Sequence, residues 1–149
     1  MPTPTETSIT DSVGYLLKRA QGALNTAMNA ALADHTVTLP QYAVLIALDE
    51  EPGLSNADLA RRAFVTPQTM NQLLRELEGK QWVVRRPHPG HRRVLQAQLT
   101  ADGQRVLHGC NEAVAAVQAR MLAHLSAAQQ RQLAQALRAC AEALATPGC

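Results

Sequence analysis

Thr66-Pro67 fixes a helix start in the middle of this chain. Deep inside a helix a proline removes a donor and clashes with the preceding turn. At the first helical position its missing N–H would have no partner anyway, and its fixed φ suits the helix. Thr66 beside it can accept from the first free backbone N–H groups. The stretch that follows, PQTMNQLLREL, sorts into two faces. Met70, Leu73, Leu74 and Leu77 share one, while Gln68, Thr69, Asn71, Gln72 and Arg75 fall mostly on the other. Just upstream, Ser55-Asn-Ala-Asp58 has the spacing of a capping box and leads a short helix through Leu59, Ala60 and Ala63. Two short helices so closely joined are predicted to form a helix-turn-helix unit.

Residues 1–7, rich in Pro and Thr, form a loose tail. Ser8 and Asp11 have capping-box spacing, and apolar residues then recur from Ile9 through Leu32 as in one long amphipathic helix. Leu39-Pro40 opens a helix through Tyr42, Val44, Leu45, Ile46 and Leu48, apolar enough to be buried on most sides and stopped by Pro52-Gly53. Trp82–Arg86 and Arg93–Leu99 read as two strands joined by Pro87-His-Pro-Gly90 turn chemistry. Thr100 caps a helix with an apolar stripe from Val106 and Leu107 to Met121 and Leu125. Ser126-Ala-Ala-Gln129 opens a last helix, where Leu133, Leu137, Cys140 and Leu144 repeat as in a helix-packing seam. The fold class is therefore mainly α with a small two-stranded wing, within a single domain.

The polar side of the Thr66 helix carries the chemistry. Each base pair shows donors and acceptors in the major groove, so a helix lying there needs side chains that can offer both; Gln, Asn, Thr and Arg do so, where Glu would meet phosphate repulsion. Glu76 and Glu78 come later, beyond the N-terminal turns that reach base edges. Net charge is only +2, yet nine of the fourteen Lys and Arg fall between Glu51 and Arg105 against five of the twelve acids. The middle of the chain is thus +4 and the remainder −2. Arg85, Arg86, Arg92 and Arg93 flank the hairpin tip, where His88 and His91 read as ordinary loop residues. Such a ribbon sets arginines against phosphates or into a narrow minor groove. Arg61 and Arg62 are open between phosphate contact and plain solvation.

Other chemistries find little footing. The sequence holds no Gly-rich phosphate loop, nucleophile elbow or HExxH, and no clustered metal ligands, so neither an enzyme nor a cofactor is expected. Three widely spaced cysteines, Cys110, Cys140 and Cys149, indicate no disulfide framework. With neither a signal-peptide pattern nor an apolar run of ~20 residues, the chain is expected to be soluble and cytoplasmic, without membrane contact. Tyr15, Lys18 and Arg19 are candidates to line a pocket for an anionic aromatic ligand, against plain packing for the tyrosine and plain solvation for the cations.

The order of elements resembles the MarR family of bacterial winged-helix regulators, over roughly Ser8 to Leu144. LSNADLARRAFVTPQTMNQLLRELEGKQWVVRR is similar to the family's helix-turn-helix and its passage into the wing, and HRRVLQAQLTADG to its wing return and the following helix entry. His91 stands where the family usually has Asp, and Gln81 where it usually has Gly. The resemblance implies a homodimer, with 8–34 and 101–145 as dimerisation helices and 39–99 as the winged helix-turn-helix. It further implies a transcriptional regulator, a repressor on a pseudo-palindromic duplex-DNA operator, relieved by a small aromatic or phenolic ligand. Thr66, Gln68, Thr69, Asn71, Gln72 and Arg75, with Arg92 and Arg93 of the wing, are the expected DNA contacts. Two alternatives stay open: a thiol-based redox sensor on the same fold, using Cys110 or Cys140, and a helical interaction protein that has lost DNA binding.

Overall fold

Ser12, rather than Ser8, opens the first helix: its hydroxyl accepts from Tyr15 N at 3.3 Å, and α1 runs Val13–Ala33. The computed structural model describes residues 8–145, the side chain of Arg92 excepted. The tail expected at 1–7 and Cys149 lie outside the described residues. The box expected at Ser8 does not form. Ser8 Oγ sits 2.8 Å from Thr10 Oγ1, and Ile9–Asp11 make one 3-10 turn before the chain kinks into α1. The remaining elements are α2 (Leu39–Glu50), α3 (Asn56–Arg62), α4 (Pro67–Gly79), β1 (Val83–His88), β2 (His91–Leu99), α5 (Ala101–Met121) and α6 (Ala127–Ala145).

α2 is the packing centre, as its continuous hydrophobicity predicts. Val44 and Leu45 are fully buried, and they share one core with Leu32 of α1, Leu59 of α3, Met70, Leu74 and Leu77 of α4, and Leu107 and Cys110 of α5. Tyr42 OH donates to Asn111 Oδ1 at 2.8 Å, fixing α2 to α5. A reciprocal box starts α2: Gln41 N donates to Thr38 Oγ1 (3.3 Å) and Thr38 N to Gln41 Oε1 (3.2 Å).

Three helices end alike, and none uses glycine. Thr36 (φ 56°), Phe64 (φ 56°) and Gln81 (φ 62°) hold the left-handed conformation after α1, α3 and α4. In each case the next N–H reaches back to an orphan carbonyl: Val37 to Leu32 (3.2 Å), Val65 to Ala60 (3.0 Å) and Trp82 to Leu77 (3.0 Å). Gln81 thus adopts the backbone its usual glycine would take. Phe64, in the helix-turn-helix bend, is 96% exposed and gains no packing to offset its strained conformation.

β1 and β2 pair antiparallel from Val83↔Leu99 to Pro87↔Leu95, with both strands reaching further into the tip than the sequence suggested. There the register slips, and His88 faces His91 rather than Val94. The base of this wing is tied down by the LTADG segment. Thr100 N donates to Trp82 O (3.0 Å), Thr100 Oγ1 donates to Gln81 O (2.7 Å), and Gly103 N donates back to Thr100 Oγ1 (3.0 Å). A Cβ at Gly103 would lie 2.1 Å from Trp82 O, so only glycine lets α5 approach the wing this closely.

α5 ends before Leu125, which falls in the bend leading to α6. Ser126 and Gln129 form the expected box, with Gln129 N donating to Ser126 Oγ (3.2 Å) and Ser126 N to Gln129 Oε1 (2.8 Å). The α6 seam stays exposed among the described residues: Leu133 and Leu137 are about two-fifths exposed and Leu144 is 90% exposed. Ile9, Val13, Leu16 and Leu17 are exposed as well. No helix among the described residues is long and apolar enough to cross a membrane.

Two substitutions test this account by denaturant titration. Gly103→Ala should destabilise the fold by about 1–3 kcal/mol, because backbone must move to admit the methyl. Phe64→Gly should stabilise it by about 0.5–1 kcal/mol, the left-handed strain removed less the entropy that glycine adds to the unfolded chain. A neutral Gly103→Ala would contradict the close approach.

Candidate nucleic-acid interface

Thr66 caps α4 as its sequence requires: Thr69 N donates to Thr66 Oγ1 at 3.1 Å, and the Thr66 hydroxyl lies 3.0 Å from Thr69 Oγ1. Pro67 occupies the first turn without a lost bond. With Met70, Leu73, Leu74 and Leu77 buried, the helix must turn Gln68, Thr69, Gln72 and Arg75 to the surface, and all four are exposed. Asn71 departs from the expected pattern. It is half-buried and receives Asn56 Nδ2 at 2.6 Å, so it joins α3 to α4 as well as edging the exposed face. Arg75 Nε donates to Asn71 O at 3.4 Å.

The wing stands beside this face across an open groove of about 530 Å³ lined by Asn71, Arg75, Glu78, Arg85 and Leu95. Arg85 Nε lies 3.1 Å from Glu78 Oε1 with both side chains partly exposed. The N–H does not point at the oxygen, so Nε is buried without a hydrogen bond and charge alone holds the pair. Glu78 therefore anchors a wing arginine from α4, at the other end of the wing from His91, the position where the family pattern would have an aspartate. At the tip, Gly90 N donates to His88 Nδ1 (2.9 Å), and the His88 and His91 rings tilt together with centroids 5.8 Å apart. Among the described residues no group of three metal-ligating side chains converges.

Most of the other basic residues of the middle segment are already paired. Arg61 pairs with Asp58 and Arg105 with Asp102. Arg62 reaches Glu50 (2.8 Å) and Glu51 (3.1 Å) and so clamps α3 to the end of α2. Among the described residues Arg75, Arg86 and Arg93 are exposed and hold no carboxylate. Arg93 is one of the two wing arginines singled out in the sequence as DNA contacts, and Arg86 stands exposed on the same hairpin. These cations, with the uncharged polar turns of α4, are what the surface offers a polyanion.

A second set of polar groups stands behind α4. Gln41, buried on α2, donates from Nε2 to Glu76 Oε2 (3.0 Å) and accepts at Oε1 from Lys80 Nζ (3.2 Å). Lys80 Nζ also donates to Thr36 O (2.6 Å) and lies 4.5 Å from the centre of the Trp82 ring. Gln72 Nε2 donates to Glu76 Oε1 at 3.3 Å. Sequence reasoning missed Gln41, Glu76 and Lys80, although Thr38-Leu-Pro-Gln41 carries the capping spacing that marks the buried glutamine.

Tyr15, Lys18 and Arg19 are brought together only as neighbours on exposed turns of α1; neither the α4–wing groove nor a smaller one between α2 and β2 includes them. Cys110 is fully buried, and burial pushes its thiol pKa up, away from a reactive thiolate. Cys140 is exposed on α6.

Residues 35–94 match the sequence model described as MarR family. The chain is 43% identical over 125 residues to the HTH-type transcriptional repressor Rv2887 of Mycobacterium tuberculosis, covering 84% of this chain and 90% of that one. Its fold is similar to that of Rv2887 in complex with DNA (TM-score 0.74, 42% identity, 85% and 95% of the two chains). It is similar too to Rv2887 in complex with p-aminosalicylic acid (0.73, 41%, 87% and 98%). CouR from Rhodococcus jostii RHA1 bound to p-coumaroyl-CoA aligns with TM-score 0.81 at 26% identity, over 94% and 96%.

The Glu78–Arg85 pair generates a prediction. Glu78→Ala should cost about 1 kcal/mol of stability or less. It should also steepen the fall of duplex affinity with salt by roughly one phosphate contact, as Arg85 turns outward. Urea titration and binding isotherms at several salt concentrations read the two effects; an unchanged salt slope would show that Arg85 stays where it is.

Proposed function

Since this chain belongs to the MarR family of winged helix-turn-helix proteins, we propose that it is a homodimeric, sequence-specific duplex-DNA-binding transcriptional regulator, a repressor whose hold on its operator a small aromatic ligand weakens. The observation that carries this reading is the open groove between α4 and the wing, lined by Asn71, Arg75, Arg85 and Leu95, beside the exposed uncharged polar turns of α4. Gln68, Thr69, Gln72 and Arg75 meet base edges or nearby phosphates in the major groove; Thr66 shapes the helix start, and Asn71 works from the groove edge. Arg92 and Arg93, joined by Arg86, hold the backbone. Non-specific affinity then rests mainly on the wing, and base preference on α4.

The exposed apolar residues of the chain ends support the dimer. Ile9, Val13, Leu16, Leu17, Leu133, Leu137 and Leu144 would be covered by a second copy, which makes 8–34 and 101–145 the dimerisation segments around the 39–99 reading head. Two reading heads require a pseudo-palindromic site with half-sites about one helical turn (~34 Å) apart. A regulator of this kind acts in the cytoplasm and needs no catalytic group. Aromatic ligands bound by Rv2887 and CouR support ligand relief here. Tyr15, Lys18 and Arg19, with one aromatic ring and two cations, supply the chemistry for an aromatic carboxylate. Of the two thiols the redox alternative names, Cys110 is sealed in the core and Cys140 is exposed.

Selection from a random duplex library, followed by two alanine variants, tests the reading. An inverted repeat should be enriched. On that repeat Arg75→Ala should cost about 1–3 kcal/mol and alter base preference, whereas Arg93→Ala should weaken all duplexes alike and flatten the salt dependence. Weak, salt-sensitive binding with no enriched sequence would point instead to a protein that no longer reads DNA.

A further inference from the structure

Glu76 lies on α4 one turn beyond Gln72, and its two carboxylate oxygens are both in use: Oε1 receives Gln72 Nε2 (3.3 Å) and Oε2 receives Gln41 Nε2 (3.0 Å). Gln41 cannot turn its amide around. Its oxygen already accepts from Thr38 N (3.2 Å) and Lys80 Nζ (3.2 Å), two groups that can only donate, so its NH2 must face the carboxylate. A carboxylate only accepts, and an amide can meet it only through its NH2. The donors therefore run in one direction, from Thr38 and Lys80 through Gln41 to Glu76, with Gln72 closing on the same carboxylate from the groove side. Reversing the Gln72 amide would set its oxygen against the Glu76 carboxylate.

We infer that Glu76 is a specificity-positioning residue: by holding the NH2 of Gln72 it commits Oε1 of that amide to the DNA groove, so that Gln72 selects a base with an exocyclic amine, adenine or cytosine, and discriminates against guanine and thymine. Adenine N6 and cytosine N4 are the major-groove donors, while guanine and thymine present acceptors at the corresponding places. An unrestrained glutamine could flip and offer its NH2 to guanine or thymine. Here the flip breaks one hydrogen bond and brings two oxygens together. The inference rests on the proposed reading of α4 as the base-contacting helix, and it adds the direction in which one of its side chains faces.

Parallel selections from a random duplex library with wild type, Gln72→Ala, Glu76→Gln and the exchanged pair Gln72→Glu with Glu76→Gln test it. Gln72→Ala marks the step that this side chain reads. At that step wild type should favour adenine or cytosine on the contacted strand. Glu76→Gln must turn its oxygen to the fixed NH2 of Gln41 and its own NH2 to Gln72, so that preference should fall by about fivefold or more and shift toward guanine or thymine. In the exchanged pair the NH2 of residue 76 meets an acceptor-only residue 72, so the preference should return even though the carboxylate, moved one turn toward the start of α4, weakens all binding. A merely structural role for Glu76 would change affinity for every sequence and leave the ratio at one step alone. An unchanged ratio in Glu76→Gln, no marked step in Gln72→Ala, or no return in the exchanged pair overturns the inference while leaving the reading of α4 intact. Absence of any enriched sequence with wild type removes the reading itself, and the inference with it.

Discussion

The joint at Thr100 and Gly103 holds the reading surface together. One threonine closes three connections at once, to Trp82 O, to Gln81 O and to Gly103 N, and so binds the end of α4, the base of the wing and the start of α5. The approach succeeds because Gly103 has no side chain to strike Trp82 O. Gln81, held left-handed without glycine, puts Trp82 in place to receive it. Helix α4 and the wing are therefore set by this backbone junction together with the Glu78–Arg85 pair and the burial of Val83 and Ala97 in the shared core, while the groove between them stays open. That suits a surface whose partner is a polyanion, since the groove can remain polar.

Charge on this surface is arranged more sparingly than composition suggests. Nine basic residues occupy the middle of the chain, yet Arg61, Arg62, Arg85 and Arg105 are each drawn to an acid of the same segment or of α2. Lys80 is turned inward to Thr36 O and Gln41. The cations left for phosphate sit beside the polar turns of α4 and on the wing. Paired charge and a buried amide are thus used to orient groups, and unpaired charge to attract the partner.

Sequence made much of this visible because the decisive signals are local. Thr66-Pro67 can only begin a helix, Met70 to Leu77 can only face a core, and the capping pairs at Ser55 and Ser126 act within one turn. Ser8 failed as a cap because Ser12 offers a competing start, and the first turn tightened into a 3-10 segment. The strands run farther than expected since Pro87 and His88 stay extended through the register slip. What sequence could not give were the long-range partners. Glu78 with Arg85, Arg62 with Glu50 and Gln41 with Glu76 depend on how helices cross, and nothing in the spacing of those residues announces them. Asn71 reads as solvent-facing by periodicity but is claimed by Asn56 from the neighbouring helix. The α6 seam was legible as apolar, and the fold leaves it uncovered.

The proposed dimer holds two copies of α4 as a rigid pair, separated by one turn of duplex. Its most direct test is the affinity of the protein for its enriched site after insertion of about 5 or about 10 base pairs between the half-sites. Five added pairs rotate one half-site to the opposite side of the duplex and should reduce binding to the level of a single half-site. Ten restore the face but lengthen the span by ~34 Å, and a rigid dimer should not recover its full affinity. Equal affinity for all three duplexes would contradict the account, because it would mean that each reading head binds alone.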